Sequence, residues 1–262
     1  MASFIWYELM TTDADAAARF YGAVVGWKIP GADPAAAGGQ DYRGIMRDDG
    51  GSAGGLLQLT QAMCDGGARP TWLGYLYVKD VDAAVRAIES DGGKLVMPRR
   101  SLPVGDIAMV TDPAGAPVYV MRPIPPPGRP DAVSDVFDTS AVQRVQWNEL
   151  ASGDVKKARD FYARHFGFEF NEVMSMGPMG DYLFIDEGGQ RIGAMMQMAA
   201  NNPMTGWLFY FGVASVAAAQ RAIEAGGGRV IRPAHQVPSG SWIVVAADPQ
   251  GAVFGVVGPR GS

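Results

Sequence analysis

The chain has 262 residues, of which 48% are hydrophobic and 19% charged, and its formal net charge is −5. This length predicts about two domains with substantial cores, and the lack of a Lys/Arg cluster argues against a nucleic-acid partner. The single cysteine, Cys64, excludes an internal disulfide and fits a reducing compartment. Since neither a leader nor a membrane-length apolar run is visible, we expect a soluble, cytoplasmic protein with no membrane partner.

The first predicted elements are a strand and an amphipathic helix. Residues 4 to 10 are rich in aromatic and β-branched types, which favours a strand. Asp13 is a candidate N-cap for the helix that follows. The apolar side chains at the spacing of one helix face are Ala17, Phe20, Tyr21 and Val24. Short strands separated by glycine-rich turns are then predicted around residues 27 to 31, 41 to 48 and 53 to 60.

The same order of elements follows in the next part of the chain. Residues 73 to 78 are predicted as a strand, and Asp80 is the candidate N-cap of a second helix. The apolar face of that helix contains Val81, Ala84, Val85 and Ile88. Strands are predicted around 94 to 97, 107 to 111 and 117 to 122. Each group is therefore a βαβββ module.

The whole pattern then occurs a second time. WYELMTTDADAAARFY, from residue 6, returns as WNELASGDVKKARDFY from residue 147, so that Glu8 corresponds to Glu149. The segment 72 to 98 likewise returns as 207 to 233. A self-similar chain of this kind indicates a tandem duplication. We expect an α+β fold with four βαβββ modules that form two tandem domains.

A proline-rich segment separates the two copies. PIPPPGRP, residues 123 to 130, has five prolines in eight residues and should be extended and stiff. We predict a first domain over residues 1–122, a linker over 123–140 and a second domain over 141–262.

The sequence resembles the vicinal oxygen chelate superfamily. The resemblance rests on the Phe-Tyr pair that follows the helix-start Asp, on a second helix that opens with DVDAA, and on a DPxG turn before the last strand. That superfamily includes glyoxalases, extradiol dioxygenases and bleomycin resistance proteins, and the tandem form is similar to two-domain glyoxalase-like proteins. The resemblance implies that paired modules curl their sheets into a cup that holds the ligand.

The resemblance also locates the positions at which metal-dependent members carry ligands. Those positions are occupied here by Trp6, Leu73 and Tyr119 in the first copy and by Trp147, Leu208 and Gly255 in the second. Zinc or iron requires several N, O or S donors, which aromatic and aliphatic residues do not supply. With two histidines in the chain, His165 and His235, a three-histidine site is excluded. We expect no metal and no other cofactor.

Strand alternation places the predicted lining residues on the inner face of each cup. The substrate-binding candidates are Trp6, Tyr75, Tyr77, Tyr119, Trp147, Tyr210, Gln58 and Gln197. The catalytic candidates are Glu149 and Glu8, because a carboxylate among aromatic rings can act as a general acid or base, or bind a cationic ligand. Alternatively, both carboxylates accept hydrogen bonds from backbone or tyrosine groups and fix how the modules meet. The two copies also match at Tyr42 and Tyr182, which are either polar cup contacts or packing residues.

Other polar residues favour structural interpretations. Asp112 and Asp248, in the DPxG turns, are predicted to form those turns. His165 is predicted to be a packed, capped or surface residue, and His235 a residue at the rim. The second cup carries smaller residues on its last strand, which would leave more room for a ligand.

Three functions remain open from the sequence. The first is a metal-independent glyoxalase/bleomycin-resistance-like protein that binds a small organic molecule in an aromatic cup. The alternative is a lyase or isomerase in which Glu8 or Glu149 acts as general base. In the third, the first copy only completes a core or an interface. The expected partner is a small-molecule ligand, and the expected state is a monomer with an internal pseudo-dimer or a homodimer.

Overall fold

The computed structural model of the protein describes residues 4–33, 39–198 and 206–262. These residues form β-strands throughout both copies, with one long helix in each module and a short helix between the first two modules. The α+β class and the four predicted modules are confirmed.

The first copy contains two modules. The elements of the first module are β1 (Phe4–Thr11), α1 (Ala14–Val25), β2 (Tyr42–Met46) and β3 (Ser52–Gln58), and the short α2 (Gln61–Asp65) follows them. Those of the second module are β4 (Thr71–Tyr77), α3 (Val81–Ser90), β5 (Lys94–Leu102), β6 (Gly105–Thr111) and β7 (Pro117–Pro123). The strand expected around residues 27 to 31 is reduced to one bridge between Lys28 and Met46. Pro30 has no N–H with which the ladder could continue.

The second copy repeats this plan. Its first module contains β8 (Val145–Ser152), α4 (Val155–Phe166), β9 (Val173–Ser175), β10 (Asp181–Glu187) and β11 (Gln190–Gln197). Its second module contains β12 (Gly206–Gly212), α5 (Val216–Ala225), β13 (Arg229–Gln236), β14 (Trp242–Ala247) and β15 (Val253–Gly258). In each of the four modules the first strand pairs in parallel with the last, and the remaining strands add antiparallel neighbours.

The predicted helix starts are confirmed by side-chain capping. Asp13 accepts the N–H of Ala16 at 2.9 Å, and Asp80 accepts that of Ala83 at the same distance. In the second copy, Asp154 and Ser215 cap α4 and α5 in the same way. Each cap satisfies a backbone donor that has no partner within its own helix, and this is why the helices begin where they do.

The chain divides into two compact units, each built from parts of both copies. The central unit contains residues 73–134 and 147–207, with the first strand's initial residues. The terminal unit contains residues 6–72, 135–146 and 208–262. The compact units therefore differ from the sequence repeats. The predicted domains 1–122 and 141–262, joined by a linker over 123–140, remain a prediction about which parts fold independently.

The terminal unit has an aromatic core drawn from both copies. Phe211 lies with its ring centroid 4.8 Å from that of Trp27 and 4.7 Å from that of Trp72. Tyr21 packs edge-on against Phe254 at 5.2 Å. All five side chains are buried. Because large aromatic rings dominate core energetics, this cluster ties residues 6–72 to residues 208–262.

The central unit has a second aromatic core. Tyr162 stacks on Phe168 at a centroid distance of 5.7 Å, and Trp207 packs edge-on against Tyr162 at 5.3 Å. Phe4 lies edge-on to Trp207 at 5.1 Å. The Phe-Tyr helix motif thus faces inward in both copies, as the helix periodicity predicts.

Ion pairs attach the segment that follows the proline-rich run to other residues of the terminal unit. Arg47, whose side chain is 2% exposed, bonds both Asp49 and Asp135. Arg144 bonds the same two carboxylates, at 2.9 and 3.1 Å. A guanidinium can bond two acids through separate N–H groups, so this cluster attaches residues 135 and 144 to the β2–β3 turn.

In the part of the chain that the structure describes, no helix is both long enough and apolar enough to cross a membrane.

Candidate functional site

A hydrogen-bonded chain of three side chains lies on β8 and β10 of the central unit. Trp147 and Glu149 alternate along β8 and therefore share one face of the strand. The indole N–H of Trp147 donates to the hydroxyl of Tyr182 at 3.0 Å, and that hydroxyl donates to the Glu149 carboxylate at 2.7 Å. Burial and the Glu149 charge raise the pKa of Tyr182, so its hydroxyl stays protonated and remains a donor.

An aromatic ring missed by the sequence analysis extends this face. Phe184 packs edge-on against Trp147 at 6.2 Å and against Tyr182 at 5.5 Å. The guanidinium of Arg191 lies 4.2 Å from the centroid of Phe184 and bonds Asp186. Alternation from Tyr182 along β10 was the signal that could have found Phe184. Trp147, Glu149, Tyr182 and Phe184 are all half-buried, and they define what is here termed the β8–β10 face.

The corresponding residues of the first copy form a related but different arrangement. Trp6 donates its indole N–H to the hydroxyl of Tyr42 at 2.9 Å, which repeats the Trp147–Tyr182 bond. Glu8 is only 3% exposed, whereas Glu149 is half-buried. The position of Phe184 is occupied by Gly44. A Cβ at Gly55 would collide with the Tyr42 hydroxyl, so the phenol lies directly against β3. The first copy thus keeps the tyrosine and the carboxylate and lacks the additional ring.

The remaining predicted tyrosines occupy the parallel strand pairs. Tyr75 and Tyr119 lie opposite each other and stack with their centroids 4.2 Å apart, so that both are buried. Tyr77 is half-buried on the same strand. In the terminal unit, Tyr210 lies opposite Gly255, and a Cβ at Gly255 would collide with the Tyr210 ring. Tyr210 therefore occupies the space that a second stacked ring takes in the first copy.

Gln58 and Gln197 bond the backbone. The Gln58 side chain accepts the N–H of Ala14 at 2.8 Å and donates to the carbonyl of Thr12 at 2.9 Å. The Gln197 amide donates to the carbonyl of Gly153 at 3.2 Å. These bonds hold the start of α1 and α4 respectively, and ligand contact by either amide remains a prediction.

Replacing Gln58 by alanine is expected to lower the free energy of unfolding by about 1 to 2 kcal/mol, because two backbone groups at the start of α1 lose a partner. Urea unfolding measures this loss. Gln197→Ala is the matched control and should cost less than Gln58→Ala, since it breaks one longer bond. Unchanged stability with weakened ligand binding would instead favour a role for Gln58 as a ligand contact.

The two DPxG aspartates form their turns as predicted and also face a tyrosine of the other copy. Asp248 accepts the N–H groups of Gln250 and Ala252, and its second oxygen accepts the hydroxyl of Tyr21 at 3.1 Å. Trp72 donates to that same hydroxyl at 2.8 Å. Burial raises the pKa of Asp248. This pairing was not predicted from the sequence, although the Phe-Tyr and DPxG motifs are both repeated.

The central unit has the equivalent arrangement. Asp112 accepts the N–H groups of Ala114 and Ala116, and Trp207 donates to the hydroxyl of Tyr162 at 2.9 Å. Burial and the nearby Asp112 charge raise the pKa of Tyr162. Each buried tyrosine comes from one copy and each aspartate from the other, so both pairs connect the copies within their unit.

The hydrogen-bond partners of the two histidines are residues outside the β8–β10 face. His165 lies 3.0 Å from a carboxylate oxygen of Asp91, and its side chain is largely buried. His235 is exposed, and one of its ring nitrogens lies 2.9 Å from the carbonyl of Pro233. Among the residues that the structure describes, no three His, Cys, Asp or Glu side chains are grouped to hold a metal ion. The absence of a metal remains a prediction, which rests on the lack of carboxylate, imidazole or thiolate donors at the six positions that the resemblance marks.

Comparison with known proteins identifies the family. The sequence model of the Glyoxalase/Bleomycin resistance protein/Dioxygenase superfamily matches residues 3–120 and 144–256. The chain belongs to this superfamily, in a form with two tandem glyoxalase-like segments.

Relatives of similar length support this assignment. The chain is 30% identical to "Putative glyoxylase CFP32" of Mycobacterium tuberculosis, over 97% of this chain and 94% of that protein. It is 28% identical to "Anthracycline biosynthesis protein DnrV" of Streptomyces peucetius, over 96% and 91% respectively. The crystal structure of the 2,3-dioxygenase LapB from Pseudomonas sp. KL28 matches with a TM-score of 0.61 and 12% identity, over 98% of this chain and 93% of that one. This last similarity is one of fold.

Proposed function

We propose that the protein binds a small, planar aromatic molecule on the β8–β10 face of its second copy, without a metal. The observation that carries the proposal is the bond of 2.7 Å from Tyr182 to a half-buried Glu149 beside two aromatic rings. Rings supply area for stacking, and the carboxylate supplies one directional contact for a donor or cation of the ligand.

The geometry favours binding over general-base catalysis. A hydroxyl that donates to a carboxylate stabilises its ionised form and so weakens it as a base. The pKa of Tyr182 is raised by burial and by Glu149, which makes the phenol a poor proton donor in turnover. Proton abstraction beside a carbonyl also needs a group that stabilises the developing oxyanion. A lyase or isomerase that uses Glu149 or Glu8 therefore remains the second candidate.

The second copy suits a ligand better than the first. Glu149 is half-buried and reachable, whereas Glu8 is 3% exposed. Phe184 stands where the first copy has Gly44. The relative named for anthracycline biosynthesis supports a planar aromatic ligand, because anthracyclines are compounds of that kind.

The Glu149→Gln variant is expected to bind a cationic planar aromatic compound about tenfold more weakly than the wild type, which corresponds to about 1.4 kcal/mol. Daunorubicin is the probe, and quenching of tryptophan fluorescence measures its affinity. Glutamine still accepts the Tyr182 hydroxyl, so the loss reports the charge rather than a broken network. The same substitution should lower the affinity for the neutral aglycone of daunorubicin much less.

Glu8→Gln is the matched control, at the same position of the other copy, and should leave the affinity unchanged. Equal weakening in both variants, or no saturable quenching in the wild type, would contradict the proposal. Turnover of the hemithioacetal of methylglyoxal and glutathione, lost in Glu149→Gln with folding intact, would favour the isomerase instead.

A further inference from the structure

We propose a second ligand site, for a small amphipathic carboxylate, in a surface groove of the terminal unit. The groove lies between the middle of α1, the segment that follows this helix and the end of β2; it is largely open to solvent and has a volume of about 610 Å³, within the range of small-molecule pockets. Its lining residues are Ala18, Arg19, Trp27, Lys28, Ile29, Pro30 and Met46. Nothing in the proposed function of the β8–β10 face involves this groove.

The groove combines an apolar floor with two cations. Ile29, Pro30 and Met46 contribute apolar surface, whereas Arg19 and Lys28 are exposed. No acidic residue lines the groove among the residues described. An acyl or aryl chain could therefore cover the apolar floor while its carboxylate accepts charge-assisted hydrogen bonds from the two cations.

The charge of Arg19 is available to a ligand. Asp15, one helical turn before Arg19, bonds Arg43 instead, at 2.6 Å. Within the described part of the chain, no carboxylate lies within ion-pair distance of Arg19. Lys28 pairs with Asp48 at 2.9 Å, but both side chains are largely exposed, and such a pair is weak enough for a ligand carboxylate to compete.

The second copy provides an internal comparison. The positions of Arg19 and Lys28 are occupied there by Asp160 and Glu169. The position of Met46 is occupied by Asp186, and the bridge from Lys28 to Met46 returns as one from Glu169 to Asp186. The backbone is thus the same and the charge is reversed.

Each of these acidic residues of the second copy has a hydrogen-bond or ion-pair partner close to it in the chain. Asp160 bonds the neighbouring Arg159 at 2.7 Å, Asp186 bonds Arg191 at 3.0 Å, and Glu169 accepts the Asn171 amide at 3.0 Å. The fold therefore does not require cations at these positions. The basic, apolar character of the groove belongs to the first copy alone, which points to a ligand rather than to a structural role.

Calorimetric titration with dodecanoate, below its critical micelle concentration, tests the proposal. We expect one saturable site per chain and about tenfold weaker binding of the neutral dodecanol. The double variant Arg19→Asp/Lys28→Glu carries the residues of the second copy and should lower dodecanoate affinity by about tenfold or more. The control Arg86→Asp/Lys94→Glu changes the charge equally on exposed residues elsewhere and should leave the affinity unchanged.

The location of the bound probe is read from the NMR signal of the Met46 methyl group, assigned through Met46→Leu. Dodecanoate should shift this signal in the wild type. No saturable binding, an unmoved Met46 signal, equal weakening in the control variant, or equal affinity for dodecanol would each overturn the proposal. The Glu149→Gln variant should bind dodecanoate normally, so failure of this site and failure of the β8–β10 face are distinguishable.

Discussion

A fragment of residues 1–132 is expected to show no cooperative unfolding transition as a monomer. In the intact chain Tyr21, Trp27 and Trp72 pack against Phe211 and Phe254, which the fragment lacks. Exposing a large apolar side chain costs about 1.5 to 3 kcal/mol, and whole domains are stable by only about 5 to 15 kcal/mol. Thermal unfolding followed by near-ultraviolet circular dichroism, with sedimentation to establish the mass, measures the outcome.

Co-expression with residues 133–262 is the control and should restore a cooperative transition, because each compact unit then regains both of its parts. A monomeric fragment that unfolds cooperatively by itself would contradict the expectation. The sequence repeats, rather than the compact units, would then be the independently folding domains.

Replacement of Asp248 by alanine is expected to lower the free energy of unfolding by about 3 kcal/mol or more. The change removes the acceptor of two backbone N–H groups and of the Tyr21 hydroxyl, all in a buried turn. Tyr21→Phe removes one of these bonds and also the acceptor of the buried Trp72 N–H, so it should cost about 1 to 2 kcal/mol, less than Asp248→Ala. Urea unfolding at neutral pH measures both variants. Equal losses in the two variants would contradict the assignment of the turn bonds to Asp248.

Asp248→Asn tests the electrostatic part of the same turn. Burial raises the pKa of Asp248. At a pH between the unfolded and the folded pKa, this carboxyl is therefore protonated in the folded state and ionised in the unfolded state. The contribution of this group is therefore fully present below the unfolded pKa of about 3.9 and is lost as pH rises through the folded value. The stability of the wild type relative to Asp248→Asn should fall across that window. A difference that rises with pH would show that the carboxylate is stabilised by its neighbours instead.

Much of the candidate site could be predicted from the repeated residues. The match of Glu8 with Glu149 and of Tyr42 with Tyr182 located the carboxylates and phenols that the structure brings together in the second copy. Phe184 was not predicted because its counterpart in the first copy is Gly44, so a comparison of the two copies does not mark this position as a shared aromatic residue. The difference in burial between Glu8 and Glu149 could not be predicted either, because the burial of a side chain depends on the neighbouring strands rather than on the residue itself.

The sequence by itself determined the local structure. Capping residues, helix periodicity and strand alternation act over a few positions, so Asp13, Asp80 and the apolar helix faces were sufficient to place four modules. The family followed from the same motifs. Only the tertiary structure decided that Tyr21 meets Asp248 and that Tyr162 lies near Asp112. Both copies carry the same motifs, so local patterns do not distinguish a partner in the same copy from one in the other. That choice depends on which buried surfaces and polar groups complement each other across long separations in the chain.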